Sequence, residues 1–231
     1  MSIKKLILGT AILAVTAPVL AVPVTVNFDS GVDFNTTGLS SFTTGAGDMD
    51  GLSVTATFLN GTTDTAVMSG SSVSGSGWNV SFTSSSTFSS PWRVDATNTS
   101  GSLISSLLFS GSSGDTVFDV DPSFEVTPGS ARGKAISSTN NTYTGSTVSS
   151  VTATYLNQVS LNGTFFGDLY ESLLLDFNQG LDDGDEFSFV TDTDNSAIEG
   201  DVQIVDVPEP GTLALLGLGL VGLVASRKRV A

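Results

Sequence analysis

The stretch LSVTATFL, Leu52–Leu59, decides the fold class. In an extended chain Leu52, Val54, Ala56 and Phe58 share one side, and Ser53, Thr55 and Thr57 share the other. Strand side chains alternate between faces, so a period of two marks a strand half buried against a core and half in water. SSVTATYL (Ser149–Leu156) repeats the pattern, with Val151, Ala153 and Tyr155 inward. SLLLDF (Ser172–Phe177) puts Leu173, Leu175 and Phe177 on one face, and EFSFV (Glu186–Val190) does so with Phe187 and Phe189.

Weaker alternations occur at Val24–Phe28, Trp78–Phe82, Leu103–Phe109, Thr116–Val120 and Val202–Val207. Between them lie turn formers, among them the NGT triplets at Asn60 and Asn162 and LDDGDE at Leu181–Glu186. No amphipathic pattern of ten residues or more interrupts this span, and its Ser, Thr and Gly disfavour helix interiors. The expected fold is all-β: a single antiparallel β-sandwich with jelly-roll-like connections over residues 22–206. A signal helix precedes it and a short apolar helix follows. Disorder is the rival reading for the polar tracts Ser69–Ser90 and Ser137–Ser150.

Charge narrows the function. Between residues 22 and 207 there are 22 acidic residues and three basic ones, Arg93, Arg132 and Lys134, a net charge of −19. Such a body repels nucleic acid, which is excluded as a partner. The chain has no cysteine and no histidine. Thiol chemistry, thiolate zinc sites and the commonest general base are therefore absent. Serine is abundant, but without histidine no familiar nucleophile arrangement can be assembled. The body reads as non-enzymatic, with no catalytic residue assigned and no cofactor required.

One acidic tract, DFNQGLDDGDEFSFVTDTDNSAIEGD (176–201), bears on metal binding. Calcium takes six to eight oxygens, which loops between strands can supply. The candidate ligands are Asp182, Asp183, Asp185, Asp192 and Asp194. The tract lacks the spacing of an EF-hand, and solvated turns at the ends of strands are the reading it favours over a metal site. A carboxylate pair could in principle hydrolyse a glycoside, but nothing selects a pair. Trp78 and Trp92 have two readings, sugar-stacking platforms or core.

The two ends carry addresses. Residues 1–21, MSIKKLILGTAILAVTAPVLA, combine Lys4 and Lys5, the apolar run Leu6–Val15, and Pro18 before a small-residue site. Val19 and Ala21 fit the positions before a signal-peptidase cut between Ala21 and Val22. Export through the Sec machinery is expected, with a permanent N-terminal anchor as the alternative. At the other end, VPEPGTLALLGLGLVGLVASRKRVA (207–231) joins a proline-bracketed glutamate to an apolar run, Leu213–Ala225, and the basic end Arg227, Lys228, Arg229. Thirteen helical residues reach about 20 Å, short of the ~30 Å hydrocarbon core. The basic end would stay cytoplasmic and leave the acidic body outside.

This tail resembles the PEP-CTERM sorting signal of exported proteins of Gram-negative bacteria. Pro208, Glu209 and Pro210 match its recognition motif, and Arg227–Arg229 match its basic end. The resemblance implies transient anchoring in the inner membrane and removal by exosortase, a membrane enzyme with a catalytic cysteine. It further implies delivery to the cell surface or extracellular matrix, in association with exopolysaccharide or biofilm. The same tail is also described as a C-terminal domain of ice-binding proteins. VFDVDPSFEVTPGSARGKA (117–135) and FFGDLYESLLLDFNQGLDDGDEFSFVTDTDN (165–195) are similar to a β-rich ectodomain that often accompanies the signal. The expected task is structural or adhesive, the alternative a calcium-stabilised glycan-binding or ice-binding module.

Overall fold

Strands, turns and two single-turn 3-10 helices, with no α-helix, make up the described residues of the computed structural model, which are 19–29, 31, 34–97, 101–121, 127–130, 132–196 and 203–204. In chain order the strands are β1 (Val19–Leu20), β2 (Val24–Phe28), β3 (Phe34–Thr36), β4 (Leu39–Ser41), β5 (Ser53–Phe58) and β6 (Thr63–Val67). There follow β7 (Ser72–Gly75), β8 (Trp78–Ser81), β9 (Trp92–Ala96), β10 (Ile104–Ser110), β11 (Thr116–Asp119) and β12 (Asn141–Thr144). The last are β13 (Val151–Leu161), β14 (Thr164–Leu181), β15 (Glu186–Phe189), β16 (Asp192–Ser196) and β17 (Gln203–Ile204). The expected signal helix and C-terminal apolar helix lie outside the described residues.

The strands form two packed sheets, a β-sandwich, and neither closes into a barrel. Sheet A runs β1-β12-β15-β9-β8-β7. Sheet B runs β17-β3-β13-β14-β10-β5-β6, with β2 also on β13, and with β11, β16 and β4 extending it beside β14. Pairing is antiparallel except that β2 and β3 run parallel to β13. A parallel pair needs a long connection, and here most of the domain supplies it. The β14 strand, 18 residues long, organises sheet B. Its C-terminal half pairs with β10 and its N-terminal half with β11.

The faces follow the period-two reading. Leu52, Val54, Ala56, Val151, Ala153, Tyr155, Leu173, Leu175, Phe177, Phe187 and Phe189 are all buried. One exception to strict alternation is β10, where Ile104, Leu107 and Phe109 are buried and the register shifts between Ile104 and Ser106. A bulge there inserts one extra residue and returns the apolar side chains to the core. Trp92 joins the sheets: its ring lies 5.3 Å from Phe82 and 6.4 Å from Phe189 on its own side, and 5.8 Å edge-on from Phe109 of sheet B.

Both tryptophans are core residues. Trp78 and Trp92 are 1% and 0% exposed, so the sugar-stacking reading fails for both. Trp78 lies over Gly75, where a β-carbon would meet its ring at 2.2 Å, and its Nε1 donates to Asp64 Oδ2 at 3.0 Å. The two polar tracts suspected of disorder hold β7, β8 and β12. Their Val73, Val80, Phe82 and Tyr143 reach the core, and that burial offsets the ordering entropy of the serines around them.

Candidate functional site: a buried aspartate cluster

Strand pairing assembles the cluster. β11 and β16 run antiparallel with Asp119 opposite Asp192 and Val117 opposite Asp194. Asp192 and Asp194, two residues apart, share a face, and the register sets Asp119 beside them. One carboxylate oxygen from each of the three lies within 4.8 Å of the others. All three are buried, at 2%, 3% and 0% exposure for Asp119, Asp192 and Asp194. Asp168, also buried, enters from β14, where its carbonyl accepts from Val120 N at 3.0 Å.

The segment before β12 caps the group. Gly133 N donates to Asp121 O at 2.7 Å, Lys134 N to Asp119 O at 3.0 Å, and Asp192 N to Lys134 O at 2.8 Å. Glycine is required at 133 because a β-carbon would stand 2.0 Å from Asp119 Oδ1. Ser130 Oγ lies 2.6 Å from Asp119 Oδ2 and 2.7 Å from Asp194 Oδ2. Thr87 Oγ1 donates to Asp192 Oδ1 at 2.8 Å, and Thr127 Oγ1 contacts both oxygens of Asp168. Asp194 Oδ1 is buried with no hydrogen-bond partner among the described residues. Leaving such an atom unsatisfied costs about 1–3 kcal/mol, more if it is charged.

Burial, reinforced by neighbouring carboxylates, disfavours the anions. It pushes Asp119 up to about 6, Asp192 to about 7 and Asp194 to about 8, against the partial relief of the Ser130 and Thr87 hydroxyls. Burial raises Asp168 as well. Lys134 draws Asp192 down slightly, but its Nζ donates to the Phe88 carbonyl at 2.7 Å and sits 4.4 Å from the Phe88 ring centroid.

The structure divides the expected calcium ligands between the two sheets. Asp192 and Asp194 enter the cluster on sheet B. Asp182, Asp183 and Asp185 stay in the turn that leads into β15 of sheet A, with β15 between the two groups. Asp182 and Asp183 are exposed. Asp185 is buried, but its Oδ2 already accepts from Tyr143 at 2.8 Å, Thr147 at 2.6 Å and Asp182 N at 2.9 Å. Sequence reasoning missed Asp119 and Asp168. The available signal was period two: VFDV places Asp119 on the face of Val117, so a strand there had to bury a carboxylate or find it a partner.

At the expected N-terminal cleavage site, Ala21 is exposed and Val22 is buried. Val22 N donates to Asn141 Oδ1 at 3.0 Å, and Val22 O accepts from Asn141 Nδ2 at 3.1 Å. Among the described residues Val22 is the first to enter the core. Pro208, Glu209, Pro210, Arg227, Lys228 and Arg229 lie outside the described residues, among which no helix is long and apolar enough to cross a membrane.

Comparison with known families bears on that tail: residues 206–229 match the PEP-CTERM protein-sorting motif. The motif marks an exported, envelope-sorted protein and implies processing by exosortase, a membrane enzyme. No curated protein and no solved structure matches the chain.

Proposed function

We propose that this protein is a structural or adhesive component of an exopolysaccharide matrix or biofilm. On this reading it passes through the Sec machinery, loses residues 1–21, and is held briefly in the inner membrane by residues 207–231 until exosortase removes the tail. The observation that carries the reading is the sorting motif at 206–229, whose Pro-Glu-Pro strip and basic end flank an apolar run too short for a stable anchor.

The ectodomain supports it with an open face. Across the outside of sheet B the registers align Thr25, Thr152, Asp176, Ser106, Thr57 and Thr63 in one row. The next row is Asn27, Thr154, Leu174, Leu108, Thr55 and Thr65, with Thr55 and Thr65 hydroxyls 2.8 Å apart. Six strands at about 4.8 Å make a hydroxyl-bearing platform roughly 24 Å wide with a central leucine pair, suited to a polymer that offers hydroxyls and apolar sugar faces. Asp176 and the leucines interrupt the threonines, which favours glycan over ice as the platform's partner.

The test is fractionation of the producing bacterium. Wild-type protein is expected in the exopolysaccharide-containing fraction, and the double variant Pro208→Ala, Pro210→Ala in the inner membrane with its tail intact. Equal delivery of both proteins to the matrix would refute the sorting reading. A wild-type protein that leaves the cell but does not co-sediment with polysaccharide would refute the matrix role alone.

A further inference from the structure

The geometry points to a hard divalent cation, calcium, held by Asp119, Asp192 and Asp194 where β11 meets β16, beneath the segment that carries Ser130. The site does not depend on where the chain is sorted. Two ligands on one calcium at 2.3–2.6 Å stand at most about 5 Å apart, and the three carboxylate oxygens, all within 4.8 Å, meet that limit.

Two independent observations ask for positive charge at this place. The first is the unpartnered Asp194 Oδ1, on a side chain 0% exposed and inside the carboxylate group. The second is proton accounting at Ser130. Its hydroxyl touches Asp119 Oδ2 and Asp194 Oδ2 at 2.6 and 2.7 Å, yet it has one proton to give. The remaining oxygen–oxygen contact is repulsive unless a proton or a cation lies with it. A divalent ion would offset two of the three ligand charges.

The donor set selects the ion. Every side-chain donor is oxygen, and the chain has no histidine or cysteine to favour a softer metal. Magnesium keeps several waters and demands octahedral geometry, whereas calcium accepts irregular sets of protein oxygens. Side chains buried to this degree leave little room for a retained hydration shell, which favours calcium. Held there, the ion would tie β11 to β16 and to the segment 127–134, closing one end of sheet B.

The experiment uses the full-length protein in detergent, stripped with EDTA and titrated with calcium alone while thermal unfolding is recorded. Calcium at a hundredfold excess over its Kd is expected to raise the midpoint by roughly 5–10 °C, and magnesium at the same concentration by less than half as much. Asp194→Asn removes a buried charge but keeps the side-chain shape. It should melt above the metal-free wild type and lose the calcium shift. Asp182→Asn, in the exposed turn, should retain that shift. Should Asp194→Asn not fold, Ser130→Ala provides the second reading, binding calcium roughly tenfold or more weakly as a positioning residue. A wild-type midpoint identical in EDTA and in millimolar calcium would overturn the site, as would a full calcium shift in a folded Asp194→Asn protein. A magnesium shift equal to that of calcium would overturn the choice of ion.

Discussion

Gly133 shows how tightly single residues are fitted around the aspartates. Its missing β-carbon leaves the space that Asp119 Oδ1 occupies, with 2.0 Å between the two positions. Gly133→Ala is expected to destabilise the protein by about 1–3 kcal/mol in urea unfolding, since the carboxylate it displaces has nowhere to go. An unchanged urea midpoint would mean that the capping segment yields freely. Trp92 is the corresponding residue of the apolar core, with aromatic contacts on both sheets. Trp92→Ala should cost about 3–5 kcal/mol, seen as an equal loss of unfolding free energy by fluorescence of Trp78 and by circular dichroism. Trp92 also marks a limit of composition: a buried tryptophan and a sugar platform are the same letter, and only the neighbouring faces of β8, β9 and β10 decide between them.

At the scale of elements, β11 and β16 pair at a cost, because they bury three carboxylates together. Their carboxylates hold protons up to about 6, 7 and 8 in the folded protein, whereas in the unfolded chain they release them near pH 4. Between those limits the folded state binds more protons, so in EDTA stability should be full below about pH 4, fall as pH rises from there through about 6 to 8, and level off above. Calcium competes with those protons, so its stabilising effect should grow over the same range. Thermal midpoints at several pH values, with EDTA and with calcium, check both slopes. A midpoint in EDTA that rises between pH 5 and 8 would contradict the assignment of these groups as buried and unneutralised. Strand identity was legible in the sequence because burial on one face writes itself as alternation, in Val54 and Ala56 as in Leu173 and Leu175. The pairing of β11 with β16 was not. Asp119 and Asp192 are far apart in sequence, and no local pattern records which strand lies across from which. The run Asp182–Asp194 looked like one acidic unit, yet the chain crosses from sheet A to sheet B within it, so adjacency in sequence misled where register decided.

At the scale of the whole molecule, a body of net charge −19 is built as two hydroxyl-rich sheets over an aromatic core, followed by a sorting motif at residues 206–229. Removal of residues 1–21 would take away β1, whose Val19 and Leu20 are exposed, and would leave Val22 in the core with an ammonium still able to donate to Asn141. The sorting motif was the most legible part of the chain, because such a signal is a linear pattern that needs no fold to be recognised. The ectodomain's partner was the least legible, since a flat hydroxyl face is composed of the same Ser and Thr that fill solvated turns. Export followed by tail removal is measured most directly by the intact mass of the protein recovered from the surface of its own host. A single species that lacks residues 1–21 and has lost the apolar run and basic end beyond Pro208–Pro210 is expected. A surface species whose mass includes both Met1 and Ala231 would contradict the assignment of this chain as an exported and sorted protein.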